Sequence, residues 1–247
     1  MQKNYFQTPT WCPGCGNFAI LRALKLAFSE LKLNSWETVV VGGIGCSGNI
    51  ANWVGTYSVI GLHGRGIPLA VGIKLANPKL TVIVNAGDGD TYGIGTNHLI
   101  HSARRNEDIT VIVHNNQVYA LTTGQTSPTS EKGMKTKTTP YGNPDEPIDP
   151  IKILLSSGAK FIARGFSGDV NHLKELFKEA ILFKGFSVVD VLQPCVTFDK
   201  IHTYKWYQER ISYLTEENHN FNDICSAFKK ADEFPKKIWI GVFYKET

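Results

Sequence analysis

Polar side chains follow two apolar, β-branched runs of this 247-residue sequence, at the point where each run stops. The run at residues 80–84 leads into Gly87-Asp88-Gly89-Asp90, and the run at residues 109–113 leads into Asn115-Asn116. A helix-like segment separates the two runs, which predicts a βαβ unit whose parallel strands end at one edge of a sheet. The first Asp and the second Asn would then project together, where open α/β sheets bind their ligands.

The chemistry of these two side chains indicates a hard cation. The carboxylate of Asp88 and the carboxamide oxygen of Asn116 suit Mg²⁺, which usually keeps a bound phosphate and water as well. Gly87 and Gly89 let the backbone approach that phosphate closely. A single Gly-Asp-Gly is more often an ordinary turn. The Asn pair one crossover later favours the cation site instead.

The cysteines give a second chemical signal, because five is an odd number for a disulfide framework. Cys12-Pro13-Gly14-Cys15 can be a redox pair, half of a zinc site or two ligands of an iron–sulfur cluster. Cys46 lies on a glycine turn and Cys195 follows a proline. Four thiolates from separated segments favour a [4Fe-4S] cluster over zinc or unligated thiols. Cys225, in the tail, is expected to be a packed or free thiol.

Several blocks of the sequence together resemble a known family. Gly87-Asp88-Gly89, followed 28 residues after Asp88 by Asn116, resembles the thiamine diphosphate motif of transketolase-like enzymes. Further blocks in the right order, from about residue 8 to residue 195, resemble the β subunit of 2-oxoacid:ferredoxin oxidoreductases. These blocks are Thr10-Trp11-Cys12-Pro13-Gly14-Cys15-Gly16, Gly43-Ile44-Gly45-Cys46-Ser47, Leu62-His63-Gly64-Arg65 and Tyr119-Ala120-Leu121-Thr122-Thr123-Gly124-Gln125-Thr126-Ser127-Pro128-Thr129.

The resemblance implies cofactors and the residues that hold them. Thiamine diphosphate would be held through Mg²⁺ on Asp88, Asn116 and the backbone carbonyl of Val118. A [4Fe-4S] cluster would be held by four cysteines, namely Cys12, Cys15, Cys46 and Cys195. The residues implied to contact the organic cofactor are Ile44, Gly45, Cys46, Ser47, His63, Gly89, Asp90, Ala120 and Leu121.

The activity implied by the resemblance is oxidative decarboxylation of a 2-oxoacid, such as pyruvate or 2-oxoglutarate. Coenzyme A takes the acyl group, CO₂ is released, and the cluster passes electrons to ferredoxin. Some relatives carry lysine at the positions of Asn49 and Thr123, near the substrate and coenzyme A, and the neutral residues here weaken an assignment to 2-oxoglutarate. The alternatives are a non-oxidative thiamine diphosphate-dependent decarboxylase or synthase subunit, and a zinc-stabilised scaffold without activity.

The resemblance also implies a partner chain. In this superfamily the glutamate that activates the thiamine comes from a pyrimidine-binding domain, whereas this sequence has strands for one sheet only. We therefore expect an α subunit, in a heterodimer or a dimer of heterodimers, and we assign no catalytic side chain to this sequence.

The composition of the sequence argues against binding to nucleic acid and against insertion into a membrane. The net charge of +4 is mild, and no arginine-rich stripe indicates binding to nucleic acid. We expect a cytoplasmic protein that does not insert into a membrane, because the sequence has no signal-peptide pattern and no apolar span near twenty residues.

The order of elements predicts an α/β fold with a doubly wound, mainly parallel sheet of the thiamine diphosphate-binding type. Residues 1–197 are expected to carry both cofactors, with the sheet ending at residues 193–195. Residues 198–247 lack a clean strand–helix alternation and are predicted to form an extended C-terminal arm. The Pro/Gly-rich segment 125–150 is interpreted as an arm on another subunit or as a solvated loop. The predicted strands are 38–41, 80–84, 109–113, 161–165 and 186–192, and the predicted helices are 18–29, 69–76, 97–103, 151–156 and 170–183.

Overall fold

A computed structural model describes residues 8–246 and contains ten strands within them. In chain order they are β1 (Thr38–Gly42), β2 (Tyr57–Ile60), β3 (Thr81–Gly87), β4 (Thr110–Asn115), β5 (Val118–Tyr119), β6 (Gln125–Thr126), β7 (Phe161–Phe166), β8 (Ser187–Leu192), β9 (Ile211–Tyr213) and β10 (Ile238–Lys245). Eight strands form one sheet in the order β2-β1-β3-β4-β8-β7-β10-β9, and β5 pairs with β6 in a hairpin. The strands from β2 to β7 in this order are parallel, whereas β10 is antiparallel to β7.

Helices cover both faces of this sheet. They are α1 (Asn17–Glu30), α2 (Gly66–Ala76), α3 (Thr96–Arg105), α4 (Pro150–Ser156), α5 (Val170–Leu182), α6 (Tyr204–Gln208) and α7 (Ile224–Ala231). Within residues 8–246, no helix combines the length and the apolar character that crossing a bilayer requires.

The central strands are apolar at nearly every position because both of their faces are buried. Val82 and Val84 of β3 pack in a core shared with α2, α3, α4 and α7, while Ile83 packs in a second core shared with α1 and α5. Successive side chains of a strand point to opposite faces, so a doubly covered strand reads as a continuous apolar run. The predicted doubly wound, mainly parallel α/β fold is confirmed.

Polar side chains cap the starts of α4 and α5. The Asp149 carboxylate accepts the Ile151 N–H at 3.0 Å, and Pro150 occupies the first turn of α4. Asp169 accepts the His172 N–H at 3.0 Å in front of α5. These caps satisfy N–H groups that have no partner inside the helix.

The C-terminal segment completes the sheet. Strand β10 pairs with β7, and β9 lies beyond it at the edge. The expectation that the sheet ends at residues 193–195 is therefore wrong, and so is the absence of strand–helix alternation after it, since α6, β9, α7 and β10 follow one another. Trp239 and Phe243 of β10 are buried in the core of this chain. The functional division at residue 197 stays a prediction.

Segment 125–150 also packs on its own chain. Ser127, Thr129 and Ser130 are buried, and the Ile148 N–H donates to the Pro128 carbonyl at 2.8 Å. The interpretation of this segment as a solvated loop is therefore wrong for its buried part, and its packing on another subunit stays a prediction.

A buried histidine joins the C-terminal segment to segment 125–150. His202 Nδ1 lies 2.6 Å from Asp199 Oδ2, and Nε2 lies 3.1 Å from Glu131 Oε1. Burial alone would lower the pKa of His202, but the two carboxylates outweigh it and hold that pKa above its ordinary value. The two carboxylates thus favour the protonated form of His202.

At the opposite edge of the sheet, no other strand of residues 8–246 pairs with the outer side of β2. All four residues of β2 are exposed, and the Trp36 ring packs edge-on against Tyr57 with 5.5 Å between ring centroids. Strand β2 was not among the predicted strands.

Candidate functional site

The ends of β3 and β4 line a cavity of about 120 Å³, which we call the strand-end cavity. Gly87 of β3 pairs in register with His114 of β4, so the residues after both strands meet at one edge of the sheet. Every residue that the resemblance assigned to the organic cofactor or Mg²⁺ lines this cavity. They are Ile44, Gly45, Cys46, Ser47, His63, Asp88, Gly89, Asp90, Asn116, Val118, Ala120 and Leu121.

Asp88 lies at the closed end of this cavity and is only 2% exposed. Its Oδ2 accepts hydrogen bonds from the Ser127 hydroxyl at 2.5 Å and the Thr129 hydroxyl at 2.6 Å. Burial raises the pKa of Asp88 to about 6, and the two hydroxyls oppose that rise by stabilising the carboxylate. Both hydroxyls reach the same oxygen, and among the described residues no side chain donates to Oδ1, so the arrangement fits a carboxylate that binds a cation.

The two asparagines after β4 have different roles. Asn115 is buried; its Oδ1 lies 3.0 Å from the Thr129 hydroxyl, whose single hydrogen is shared between this oxygen and Asp88, and its Nδ2 donates to Asp190 at 3.1 Å. Asn116 lines the cavity, and its Oδ1 accepts the Val118 N–H at 3.1 Å. The first asparagine therefore supports Thr129 from behind, and the second presents its amide oxygen at the cavity.

Behind Asn115 is a buried ion pair. Asp190 on β8 accepts from Arg164 Nε at 3.1 Å and from the Tyr92 hydroxyl at 3.1 Å. Arg164 and Asp190 are both almost fully buried. A continuous hydrogen-bonded chain thus runs from the interior of the sheet through Thr129 to Asp88, and it fixes the carboxylate before any ligand binds.

Asp90 holds the loops around the cavity together. Its Oδ1 accepts the Ile44 N–H at 3.1 Å and the Gly64 N–H at 2.9 Å, and lies 3.5 Å from His63 Nε2. Asp90 therefore positions the loop after β1 and the loop before α2, although the resemblance assigned it to the cofactor.

The loop after β1 leaves room for a bound group. Gly45 has φ +117°, a left-handed conformation that favours glycine, and no heavy atom lies within 4 Å of the place a Cβ would occupy. Together with the oxygen donors of Asp88 and Asn116, this open backbone fits a diphosphate bridged by Mg²⁺.

A second cavity of about 260 Å³ lies beside the first, and we call it the cysteine cavity. Asn49 and four of the five cysteines line it, and the four are those predicted from the sequence, namely Cys12, Cys15, Cys46 and Cys195. The two cavities share a wall, since both are lined by Cys46, Asn116, Ala120 and Leu121. Cys225 is exposed and lies on α7, away from this cavity.

The four cysteines of the cysteine cavity are not arranged around a single point. Among residues 8–246, no three His, Cys, Asp or Glu side chains are grouped so that they could hold one metal ion. A [4Fe-4S] cluster gives each thiolate its own iron, so its ligands surround a cube instead of one point. Burial, with smaller effects from the neighbouring cysteines, raises the pKa of Cys15 to about 11, and burial also raises the pKa of Cys46.

Some functional positions escaped the sequence analysis. Ser127 and Thr129 stand in a block quoted for the resemblance, but nothing in it indicated that they contact Asp88. Tyr119 lines the strand-end cavity, and its hydroxyl donates to the Gly89 carbonyl at 3.2 Å. Thr123, expected near substrate, lies in a turn with φ +80° and lines neither cavity.

Comparison with known proteins identifies the family of this chain. Residues 43–191 match the family described as "Thiamine pyrophosphate enzyme, C-terminal TPP binding domain". Residues 195–247 match the family described as the C-terminal part of the pyruvate ferredoxin oxidoreductase β chain.

Individual relatives agree with these two matches. The chain is 48% identical to 2-oxoacid:ferredoxin oxidoreductase 1, subunit beta, of Aeropyrum pernix over 95% of this chain and 77% of the relative. It is 45% identical to 2-oxoglutarate synthase subunit KorB of Archaeoglobus fulgidus, over 96% of this chain and 85% of that relative. The structure of a 2-oxoglutarate:ferredoxin oxidoreductase from Magnetococcus marinus superimposes with a TM-score of 0.95 at 38% identity, covering 98% of this chain and 82% of that one. The chain therefore belongs to the 2-oxoacid:ferredoxin oxidoreductase family, as a β subunit.

Proposed function

We propose that this chain, with an α subunit, catalyses the CoA-dependent oxidative decarboxylation of a 2-oxoacid to acyl-CoA and CO₂, with electrons delivered to ferredoxin. The observation that carries the proposal is the wall common to the strand-end cavity and the cysteine cavity. Electron transfer from the thiamine cofactor to an iron–sulfur cluster requires the two groups to lie close together. Groups bound in two cavities with a common wall would meet this requirement.

In the strand-end cavity, Asp88, Asn116 and the carbonyl of Val118 would hold Mg²⁺ and through it thiamine diphosphate. The bound cofactor supplies the electron sink for decarboxylation. Ser127 and Thr129 orient the Asp88 carboxylate, and Asp90 fixes the loop whose open backbone faces the diphosphate. Ala120 and Leu121 supply apolar surface on the wall toward the cysteines.

In the cysteine cavity, Cys12, Cys15, Cys46 and Cys195 would hold a [4Fe-4S] cluster that carries electrons one at a time. We infer a cytoplasmic location, because a reducing compartment keeps cysteines available as thiolates. All residues that line this cavity except Phe198 precede position 198, which supports the proposed division of the chain at residue 197.

The need for an α subunit is supported by the carboxylates around the strand-end cavity. Among the described residues its lining includes Asp88 and Asp90 but no glutamate, which supports the expectation that the glutamate that activates the thiamine comes from another chain. We propose a heterodimer or a dimer of heterodimers, with ferredoxin as the electron acceptor.

The substrate class is a 2-oxoacid. The Magnetococcus marinus structure contains 2-oxoglutarate, coenzyme A and succinyl-CoA. Asn49 and Thr123 of this chain are neutral, and Asn49 lines the cysteine cavity. A panel of pyruvate, 2-oxoglutarate and branched 2-oxoacids, assayed with a dye acceptor, identifies the preferred one.

The test is anaerobic purification of the complex with its α subunit, followed by quantification of iron, sulfide, magnesium and thiamine. We expect about four irons and four sulfides per β chain, with thiamine and Mg²⁺, and CoA-dependent turnover that the β chain alone does not show. A complex that holds thiamine but no iron would indicate a non-oxidative enzyme. Zinc without thiamine would indicate a scaffold, and turnover by the β chain alone would overturn the partner requirement.

A further inference from the structure

A buried amide lies against one of the four cysteines. Gln193 directly follows β8 and is 1% exposed. Its Nε2 lies 3.4 Å from Cys15 Sγ and 2.9 Å from the Pro194 carbonyl oxygen. A carbonyl oxygen only accepts hydrogen bonds, so the atom that faces Pro194 has to be the amide nitrogen. That nitrogen has two hydrogens, and the second one points at the sulfur.

The residues packed around Gln193 leave room for its amide to approach Cys15. A Cβ on Gly16, the residue after Cys15, would lie 2.7 Å from Gln193 Cγ and 2.6 Å from Ser167 Oγ. Glycine at this position therefore admits the amide beside the cysteine. The Gln193 Oε1 is buried and has no hydrogen-bond partner in the described part of the chain. Both polar contacts of the Gln193 side-chain amide within the described residues are therefore made by its nitrogen.

Cys15 is the most strongly hydrogen-bonded of the four thiols. The backbone N–H of Asn17 also donates to it and opposes the effect of burial on its pKa. Among residues 8–246, Cys12, Cys46 and Cys195 receive no side-chain hydrogen bond at sulfur. One corner of the cysteine cavity thus differs from the other three.

We propose that Gln193 is a positioning residue that raises the reduction potential of the cluster held by these cysteines. The inference rests on the proposed function. A cluster that accepts one electron places more negative charge on its thiolates, and a donor aimed at a thiolate stabilises that reduced form. The electron comes from the 2-oxoacid undergoing oxidation and leaves to ferredoxin, so Gln193 acts on the balance between these two transfers without taking part in either.

The experiment is a redox titration of the anaerobic complex with its α subunit, monitored by electron paramagnetic resonance. Gln193→Leu should lower the midpoint potential, because it removes the donor. A tenfold change in the reduction equilibrium corresponds to 59 mV for one electron, and a shift of that order is expected. The matched control is Gln208→Leu, the same change at an exposed position of α6, which should leave the potential unchanged.

The outcomes separate this inference from the proposed function. A wild-type complex without iron overturns the function, whereas a Gln193→Leu complex with full iron and an unchanged potential overturns only the role of Gln193. If the Gln193→Leu complex does not assemble a cluster, Gln193→Asn is the second variant. Its amide is one methylene shorter and lies farther from the sulfur, so this variant should also have a lower midpoint potential. Failure of both variants to hold iron would overturn tuning in favour of a structural role.

Discussion

The strand-end cavity and the cysteine cavity are neighbours, but they are built in different ways. The first takes its polar groups from the ends of two adjacent strands and fixes them with a chain of hydrogen bonds behind Asp88. The second gathers cysteines from three distant segments, at residues 12–15, 46 and 195. Oxygen ligands for a hard cation are thus prepared by the sheet, whereas sulfur ligands for a soft cluster are brought together by loops.

This difference predicts how each cavity responds to substitution. A carboxylate held by a buried network retains its geometry when the neighbouring cavity is empty. Among the four cysteines, Cys15 is held by the Gln193 amide and the Asn17 N–H, whereas no side chain of the described residues donates to the other three sulfurs, so their geometry depends more on the group that they bind. Substitutions that affect one cavity and spare the other test this comparison.

Asp88→Ala should have the largest effect. It removes the only cation-binding carboxylate that we assign, and we expect magnesium-dependent thiamine diphosphate affinity to fall more than about 100-fold, since loss of a supporting residue alone costs 10–100-fold. Calorimetric titration of the complex measures this. Iron content should stay at the wild-type level, and full cofactor affinity in the variant would show that the metal assignment is wrong.

Cys46→Ser should damage the cysteine cavity. We expect loss of iron and sulfide or of electron transfer to the dye. The effect on decarboxylation should be smaller, because Cys46 lines both cavities but is not among the groups that hold Asp88. Iron analysis and parallel assays of CO₂ release and dye reduction measure the two effects. Cys225→Ser, on an exposed cysteine, is the control. Equal loss of both activities with full iron would contradict the separation of the two cavities.

Thr129→Val should have a smaller effect, because it removes one of two hydroxyls on Asp88 while keeping the side-chain shape. We expect a 10–100-fold loss of magnesium-dependent thiamine diphosphate affinity, as for other groups that orient a metal ligand. Thr138→Val, at an exposed threonine, should bind normally. An unchanged affinity for Thr129→Val would show that Asp88 is oriented by the metal itself.

His202→Gln should affect stability more than either cavity. The folded-state pKa of His202 is raised, so its stabilisation is fully present below the ordinary value of 6.5 and is lost as pH rises through the folded value. The pKa of Asp199 is lowered, so its share is present above 3.8 and is lost as pH falls through the folded value. We expect a cost of about 3 kcal/mol near pH 5.5, and a smaller cost at pH 8.5. Unfolding midpoints at both pH values measure it, and equal costs would refute the imidazolium.

The strands that were predicted correctly are those whose burial on both faces requires a continuous run of apolar residues. Strands β3, β4 and β8 are covered on both faces, and their apolar runs were predicted in place. Strand β2 escaped because its exposed edge position imposes no such pattern. Strand β10 is an apolar run, but its pairing with β7 depends on a partner more than seventy positions earlier in the chain, which local patterns do not reveal.

The site was predictable to the same extent. The residues carried over from the resemblance line the two cavities, with the exception of Thr123. The supporting residues were not predictable, because Ser127 and Thr129 reach Asp88 across about forty positions of chain. Ser and Thr are common in loops for many reasons, and their contact with a carboxylate appears only once the chain is folded.

The pairing of β10 with β7 has a consequence for synthesis of the protein. Strand β7 is made long before residues 238–245, so its edge has no antiparallel partner until they leave the ribosome. An unpaired edge next to apolar side chains is a template for pairing with other chains. During synthesis of this chain, the edge of β7 is therefore open to pairing with other chains until β10 covers it.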